Sequence, residues 1–206
     1  MRRRFKAGVR RIARPLGAAL SRAGVSADAL TLFGVVCAFP AAYGFFAGRA
    51  LLAFPFLLLS GVSDLLDGAV ARAGGRPGTR FGAALDSTLD RYGEGLVLAG
   101  ILLGLADRGA APWLLVLAAL AGIGSYLVSY VRARAEGLGV ECEVGFLERP
   151  ERLVLLLILA LWGDGGAPWI LGLIALLSHV TFLHRLLHVR RETSARVAET
   201  SGGAGR

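Results

Sequence analysis

The 206-residue chain sets 23 Lys and Arg against 15 Asp and Glu, a net charge of +8, yet 55% of its residues are hydrophobic and its mean hydropathy is +0.61. That composition excludes an ordinary soluble domain, and the long Leu/Ala-rich runs exclude a fold of short alternating strands. A pI near 10.7 fits arginines meeting anionic headgroups; no aromatic residues interleave with them as a nucleic-acid binder would require, so no nucleic-acid partner is expected.

Residues 1–22 place Arg2, Arg3, Arg4, Lys6, Arg10, Arg11, Arg14 and Arg22 around Phe5, Val9, Ile12, Leu16 and Leu20. This spacing predicts an amphipathic helix lying in the headgroup layer. No secretory signal is expected, because the basic start has no clean apolar core and cleavage site.

Six apolar stretches follow, each near the roughly 20 residues a membrane-crossing helix needs, the fifth being short. They run from about Asp28 to Phe46, Leu51 to Arg72, Phe81 to Leu105, Pro112 to Arg132, Glu151 to Trp162 and Pro168 to His188. The expectation is an all-α integral membrane protein of six transmembrane helices behind an N-terminal interfacial helix. Its domains are residues 1–22 (juxtamembrane helix), 23–191 (membrane domain) and 192–206 (a polar, disordered tail). Cys37 and Cys142 are too few and too far apart for a disulfide framework or a metal motif.

With six spans, both termini share a side. Of the 23 basic residues, all but Arg49 and Arg108 fall on that side. This bias predicts a multi-pass cell-membrane protein with both termini cytoplasmic. Trp113, Trp162 and Trp169 fall near span ends on the opposite side, where an aromatic belt belongs.

The stretch from Ser63 to Gly95 carries the chemistry. Asp64 and Asp67 stand three residues apart, and Asp86 and Asp90 four apart, so each pair shares one helical face. The two faces are joined by the glycine-rich turn Gly74 to Gly78 and lie at similar depth near the cytoplasmic surface. Carboxylates within apolar helices are expensive without partners. Divalent cations are the simplest partners, with oxygens left over for a phosphate-bearing ligand. Structural ion pairs with Arg72, Arg76, Arg80 and Arg91 are the plainer alternative.

Asp64, Asp67, Gly68, Ala71 and Arg72, followed by Gly82, Asp86 and Asp90, resemble the signature of the CDP-alcohol phosphatidyltransferases, Asp-x-x-Asp-Gly-x-x-Ala-Arg then Gly-x-x-x-Asp-x-x-x-Asp. Nine residues separate Arg72 from Gly82 where the signature has about eight, a difference that the turn absorbs. The resemblance implies transfer of a phosphatidyl group from a CDP-linked lipid to an alcohol, with release of CMP. It implies two Mg²⁺ ions, or Mn²⁺, on Asp64, Asp67, Asp86 and Asp90, with Asp64 and Asp86 bridging and Asp90 also the catalytic base. It assigns the CDP-lipid to Asp28, Ala29, Leu30, Thr31, Gly68, Arg72 and Thr79, and suggests a homodimer among membrane lipids.

The acceptor alcohol is read from two further stretches. Ser129 to Glu136 and Phe146 to Leu153 look like segments of the bacterial phosphatidylinositol phosphate synthases, which join inositol 1-phosphate to CDP-diacylglycerol. A phosphorylated acceptor needs a cationic pocket, and Ser129, Arg132, Arg149 and Arg185 match the positions implied to hold it. Position 132 is arginine where similar enzymes often carry lysine, which alters the contact geometry. Glycerol phosphate, serine or an ether-linked CDP-lipid are alternative substrates, and a divalent-cation transporter is the rival of another class. Glu94, one turn beyond Asp90, reads equally as hydrogen-bonding a water beside the site or as facing a neighbouring helix. His179, His184 and His188 read as surface or headgroup histidines.

Overall fold

The computed structural model describes residues 13–73 and 79–203. The basic segment 1–12, the glycine-rich stretch 74–78 expected to form a turn, and residues 204–206 lie outside the described residues. Helix α1 spans 13–22. It is followed by α2 (Ala27–Phe46), α3 (Ala50–Ala73), α4 (Arg80–Asp107), α5 (Pro112–Gly137), α6 (Arg149–Trp162), a short 3₁₀ turn (Asp164–Gly166) and α7 (Ala167–Gly203). No strand occurs among the described residues.

Local chemistry sets the boundaries. Ser26 caps α2 by accepting from the Ala29 N–H, and Thr79 caps α4 by accepting from the Gly82 N–H; each satisfies a donor that the first turn leaves orphaned. Pro112 opens α5 and Pro150 lies in the first turn of α6, where a missing N–H does no harm. The Glu151 carboxylate accepts from the Glu148 N–H at 3.0 Å, fixing the entry to α6. Helix α7 continues through Gly203, across the segment expected to be disordered. Residues 190–201 are rich in Arg, Glu and Ala and hold no Gly or Pro, so nothing local ends the helix before Gly202.

Six helices close a ring in the order α2, α3, α6, α7, α5, α4, each packed against its two neighbours. Small residues permit the close approaches. A Cβ at Gly100 would lie 2.4 Å from the Ala42 carbonyl oxygen, and one at Gly104 would lie 2.6 Å from that of Phe45, so the backbones of α4 and α2 touch where any side chain would part them. The core between the helices is aliphatic, with Leu57, Val97, Ile101, Leu156, Leu159, Leu171 and Ile174 almost wholly buried. Large apolar side chains, Leu51, Val116, Leu161 and Leu176 among them, cover the outside.

Among the described residues, four stretches are long and apolar enough to cross a membrane: Ala27–Phe46, Ala50–Ala73, Pro112–Gly137 and Asp164–Ser194. The six-span expectation is therefore met in its helices but in only four by length and composition. Helix α4 interrupts its apolar run with Asp86, Asp90, Arg91 and Glu94, and α6 has only 14 residues, about 21 Å of helix.

The two ends of the ring are tied differently. At one end Arg108, following α4, donates to both carboxylate oxygens of Asp164 (2.8 and 3.2 Å) and to the Phe46 carbonyl (2.7 Å), so one side chain joins the termini of α2, α4 and α6. Trp113, Trp162 and Trp169 stand exposed on the helix ends and turns of this side. At the opposite end α7 straps down the segment between α5 and α6. The Thr181 hydroxyl accepts from the Phe146 and Leu147 N–H groups, Arg185 donates to the Val144 carbonyl at 2.7 Å, and His188 Nε2 lies 3.0 Å from the Glu141 carbonyl.

Candidate active site

Every helix of the ring delivers a polar side chain to the strapped end: Thr31 from α2, Asp64 and Asp67 from α3, Asp86, Asp90 and Glu94 from α4, Ser129 and Arg132 from α5, Arg149 and Arg152 from α6, Arg185 from α7. Spacing within α3 and α4 turns each aspartate pair to one face, and the ring turns those faces together. Asp64, Asp67 and Asp86 each offer a carboxylate oxygen within 4.8 Å of the other two.

Asp90 stands beside this trio, linked to it through a cation. Arg149 Nη1 lies 2.5 Å from Asp90 Oδ2 and 2.9 Å from Asp64 Oδ1. Among the described side chains the aspartates' ion-pair partner is thus Arg149, far along the chain, rather than the nearby Arg72 or Arg91; Arg76 and the Arg80 side chain lie outside the described ones. Arg91 turns back to the Ser87 carbonyl of its own helix.

The trio suits a divalent metal. Its donors are all carboxylate oxygens, the set that Mg²⁺ and Mn²⁺ prefer. Asp86 Oδ1 is buried without a hydrogen-bond partner, a cost that a coordinated cation removes. Asp67, 7% exposed, is steadied by the Thr31 hydroxyl, which donates to its Oδ2 at 3.1 Å.

The stretches expected to meet the CDP-lipid gather beside the trio. Asp28 and Ala29 open α2, exposed, with Leu30 half-buried behind them. Gly82 lets them approach α4: a Cβ there would lie 3.2 Å from Asp28 Oδ1 and 3.0 Å from Thr79 Oγ1. Gly68 leaves similar room, since its Cβ would lie 3.2 Å from Arg72 Nη1. Arg72 and Thr79 are exposed. Thr31 differs from the rest: it is buried and bonded to a metal-site carboxylate.

On the other side of Asp86 and Asp90 opens a cavity of about 320 Å³, lined by Ser129, Arg132, Arg149, Arg152 and Arg185 among others. All four residues expected to hold an acceptor phosphate reach it. Arg132 is half-exposed, with Nε on Glu136 at 2.9 Å. Arg185 is buried and already donates to the Val144 and Val128 carbonyls, so it also braces the wall. Arg152 was not singled out from the sequence; its position three residues after Arg149, on the same face of α6, is the signal that was there to read. It forms a two-pronged ion pair with Glu94 (2.5 and 2.7 Å), which shows what Glu94 touches. The histidines reach none of these carboxylates: His179 faces the Ala175 carbonyl, His184 packs on Phe146, and His188 meets the Glu141 carbonyl.

A carboxylate trio able to hold a divalent metal, opening onto a guanidinium-lined cavity at one end of an apolar helical ring, suits a metal-dependent membrane transferase of phosphate-linked groups. The chain belongs to the CDP-alcohol phosphatidyltransferase family, whose sequence profile matches residues 25–197. It is 40% identical to a phosphatidylinositol phosphate synthase of Mycobacteroides abscessus, over 90% of this chain and 86% of that one. It is 39% identical to an archaetidylinositol phosphate synthase of Methanothermobacter thermautotrophicus, over 92% and 94%. Among solved structures it resembles the Mycobacterium tuberculosis phosphatidylinositol phosphate synthase with CDP-DAG bound (TM-score 0.78, 34% identity, covering 87% of this chain and 94% of that one). The same enzyme in complex with manganese and citrate gives a TM-score of 0.77 at 33% identity, covering 86% and 88%.

Proposed function

We propose that the chain transfers the phosphatidyl group of CDP-diacylglycerol to inositol 1-phosphate, giving phosphatidylinositol phosphate and CMP. The observation that carries the acceptor is the cavity itself: Ser129, Arg132, Arg149 and Arg185 line a space that Asp86 and Asp90 also line. A phosphorylated polyol anchored by guanidinium forks would sit there with a hydroxyl beside Asp90. A transporter is disfavoured because the aspartates gather at one end of the ring, beside guanidiniums suited to a phosphate.

Asp64, Asp67 and Asp86 would hold one divalent ion, and Asp90 with Asp64 and Asp86 a second, Mg²⁺ or Mn²⁺. Bound there, the ions would supply Lewis-acid polarisation of the lipid's phosphates. Asp28 to Thr31, Gly68, Arg72 and Thr79 would seat the CDP group, Gly68 and Gly82 admitting it close to the backbone. Asp90 takes the proton of the acceptor hydroxyl as its oxygen attacks the β-phosphorus. The new P–O bond forms, the bond to CMP breaks, and the proton later leaves Asp90 to solvent. Holding the two substrates together in line removes much of the entropic barrier.

Helices α4 and α6 would complete six spans, their charged ends at the membrane surface, with 13–22 the described part of an interfacial helix. Both termini would face the cytoplasm across the cell membrane, a reading supported by the concentration of arginine at the strapped end. A homodimer is the assembly proposed, to be checked by the mass of the detergent-solubilised particle.

One assay tests the reaction. Purified protein with Mg²⁺ and CDP-diacylglycerol is offered inositol 1-phosphate, inositol, glycerol phosphate and serine, and CMP release is followed. Release with inositol 1-phosphate alone is expected. Release only with glycerol phosphate overturns the acceptor, and no release with any acceptor overturns the reaction. An ether-linked CDP-lipid in a parallel arm identifies the lipid backbone.

A further inference from the structure

Two acid–base pairs cross the ring between α4 and α6, which are not neighbours in it. Asp90 meets Arg149 at 2.5 Å. One turn further along α4, Glu94 meets Arg152, three residues beyond Arg149, through Nε and Nη2 at 2.5 and 2.7 Å. Arg152 is 1% exposed and shares its cavity with Arg132, Arg149 and Arg185. Its Nη1 reaches the Leu147 carbonyl at 3.4 Å, on the backbone just ahead of α6.

A guanidinium this buried among other guanidiniums is tolerable only if a carboxylate neutralises it, and a two-pronged pair also fixes its plane. Removing Glu94 would leave an uncompensated cation in the wall, repelling Arg149 and loosening the carbonyl contact that steadies the start of α6. Glu94 would itself touch no substrate.

We propose that Glu94 is a positioning residue for the acceptor phosphate: through Arg152 it holds the first turn of α6 so that Arg149 is presented beside Asp90. The inference rests on the reading of the cavity as the acceptor site.

Kinetics of Glu94→Gln, which keeps the size and removes the charge, test it. The KM for inositol 1-phosphate is expected to rise roughly tenfold to a hundredfold, the penalty for a displaced anchor. The KM for CDP-diacylglycerol is expected to stay within about twofold, since uniform binding of that substrate is untouched. Glu94→Asp, with charge but shorter reach, should recover part of the loss. Arg152→Lys, which keeps the charge and loses the fork, should reproduce it. Thermal protection by inorganic phosphate should weaken in Glu94→Gln relative to the wild type. An unchanged acceptor KM in both Glu94→Gln and Arg152→Lys, or a parallel rise for both substrates, overturns the inference while a wild type active on inositol 1-phosphate upholds the function. A wild type that releases no CMP with any acceptor overturns both.

Discussion

Arg149 Nη1 stands 2.5 Å from Asp90 Oδ2, so the proposed base is paired with the cation proposed to bind the acceptor's phosphate. A phosphate bound as proposed would compete with Asp90 for the same guanidinium, so that the substrate would free the base it needs. Arg149→Ala should lower acceptor-dependent CMP release while raising the share released to water without acceptor. Measuring CMP with and without inositol 1-phosphate gives both quantities.

Asp90→Asn removes the proton acceptor without changing shape. Turnover should fall by about a hundredfold to ten-thousandfold, the usual worth of a positioned base. CDP-diacylglycerol affinity, measured by equilibrium binding, should be largely kept. Normal turnover would remove Asp90 from that role.

Thr31 separates two readings of the start of α2. Its hydroxyl donates to Asp67 Oδ2 at 3.1 Å, so Thr31→Val should raise the Mg²⁺ needed for half-maximal activity roughly tenfold to a hundredfold, as lost hydrogen bonds to metal ligands do. If Thr31 instead served the nucleotide directly, the KM for CDP-diacylglycerol would rise at unchanged Mg²⁺ dependence.

Arg108 lies at the end of the ring away from the chemistry. Arg108→Ala should cost about 1 kcal/mol, because part of its bonding is to half-exposed Asp164 and surface pairs contribute little. The melting temperature in detergent should drop by roughly 2–4 °C, with both KM values unmoved.

Cys142 sits in the segment that α7 straps down, 2% exposed, and burial pushes its thiol above the ordinary range. Thiolate is the reactive form, so maleimide should modify Cys142 slowly at neutral pH and faster as pH rises. Thr181→Val deletes the hydroxyl that holds Phe146 and Leu147 and should speed that labelling at constant pH.

The helices were legible because long apolar runs, caps and prolines are local signals. Boundaries expected at Phe46, Arg72, Pro112 and Trp162 fall at or within one residue of the observed ends. The aspartates were legible because three- and four-residue spacings define a helical face. The partners of the charges were not. Asp64 meets Arg149 across the α3–α6 contact, Asp90 meets Arg149 and Glu94 meets Arg152 across the ring, and nothing in a linear sequence ranks those pairings above the nearby Arg72 or Arg91. The Thr31 bond to Asp67 was likewise hidden, because it depends on how closely α2 packs on α3. Continuation of α7 to Gly203 was not expected, because the segment's polarity was read as disorder although no Gly or Pro interrupts it before Gly202.

The ring's shared ownership of charge also has a consequence in time. Glu94 precedes Arg152 by 58 residues, so at about 5–20 residues per second a nascent chain carries the acidic α4 for roughly 3 to 12 seconds before its cation is made. During that interval α3 and α4 hold carboxylates inside apolar surroundings without their arginines. Synthesis therefore passes through a stage that the membrane itself disfavours, and α6 ends it: its first turn brings two guanidiniums at once, Arg149 to Asp64 and Asp90 and Arg152 to Glu94.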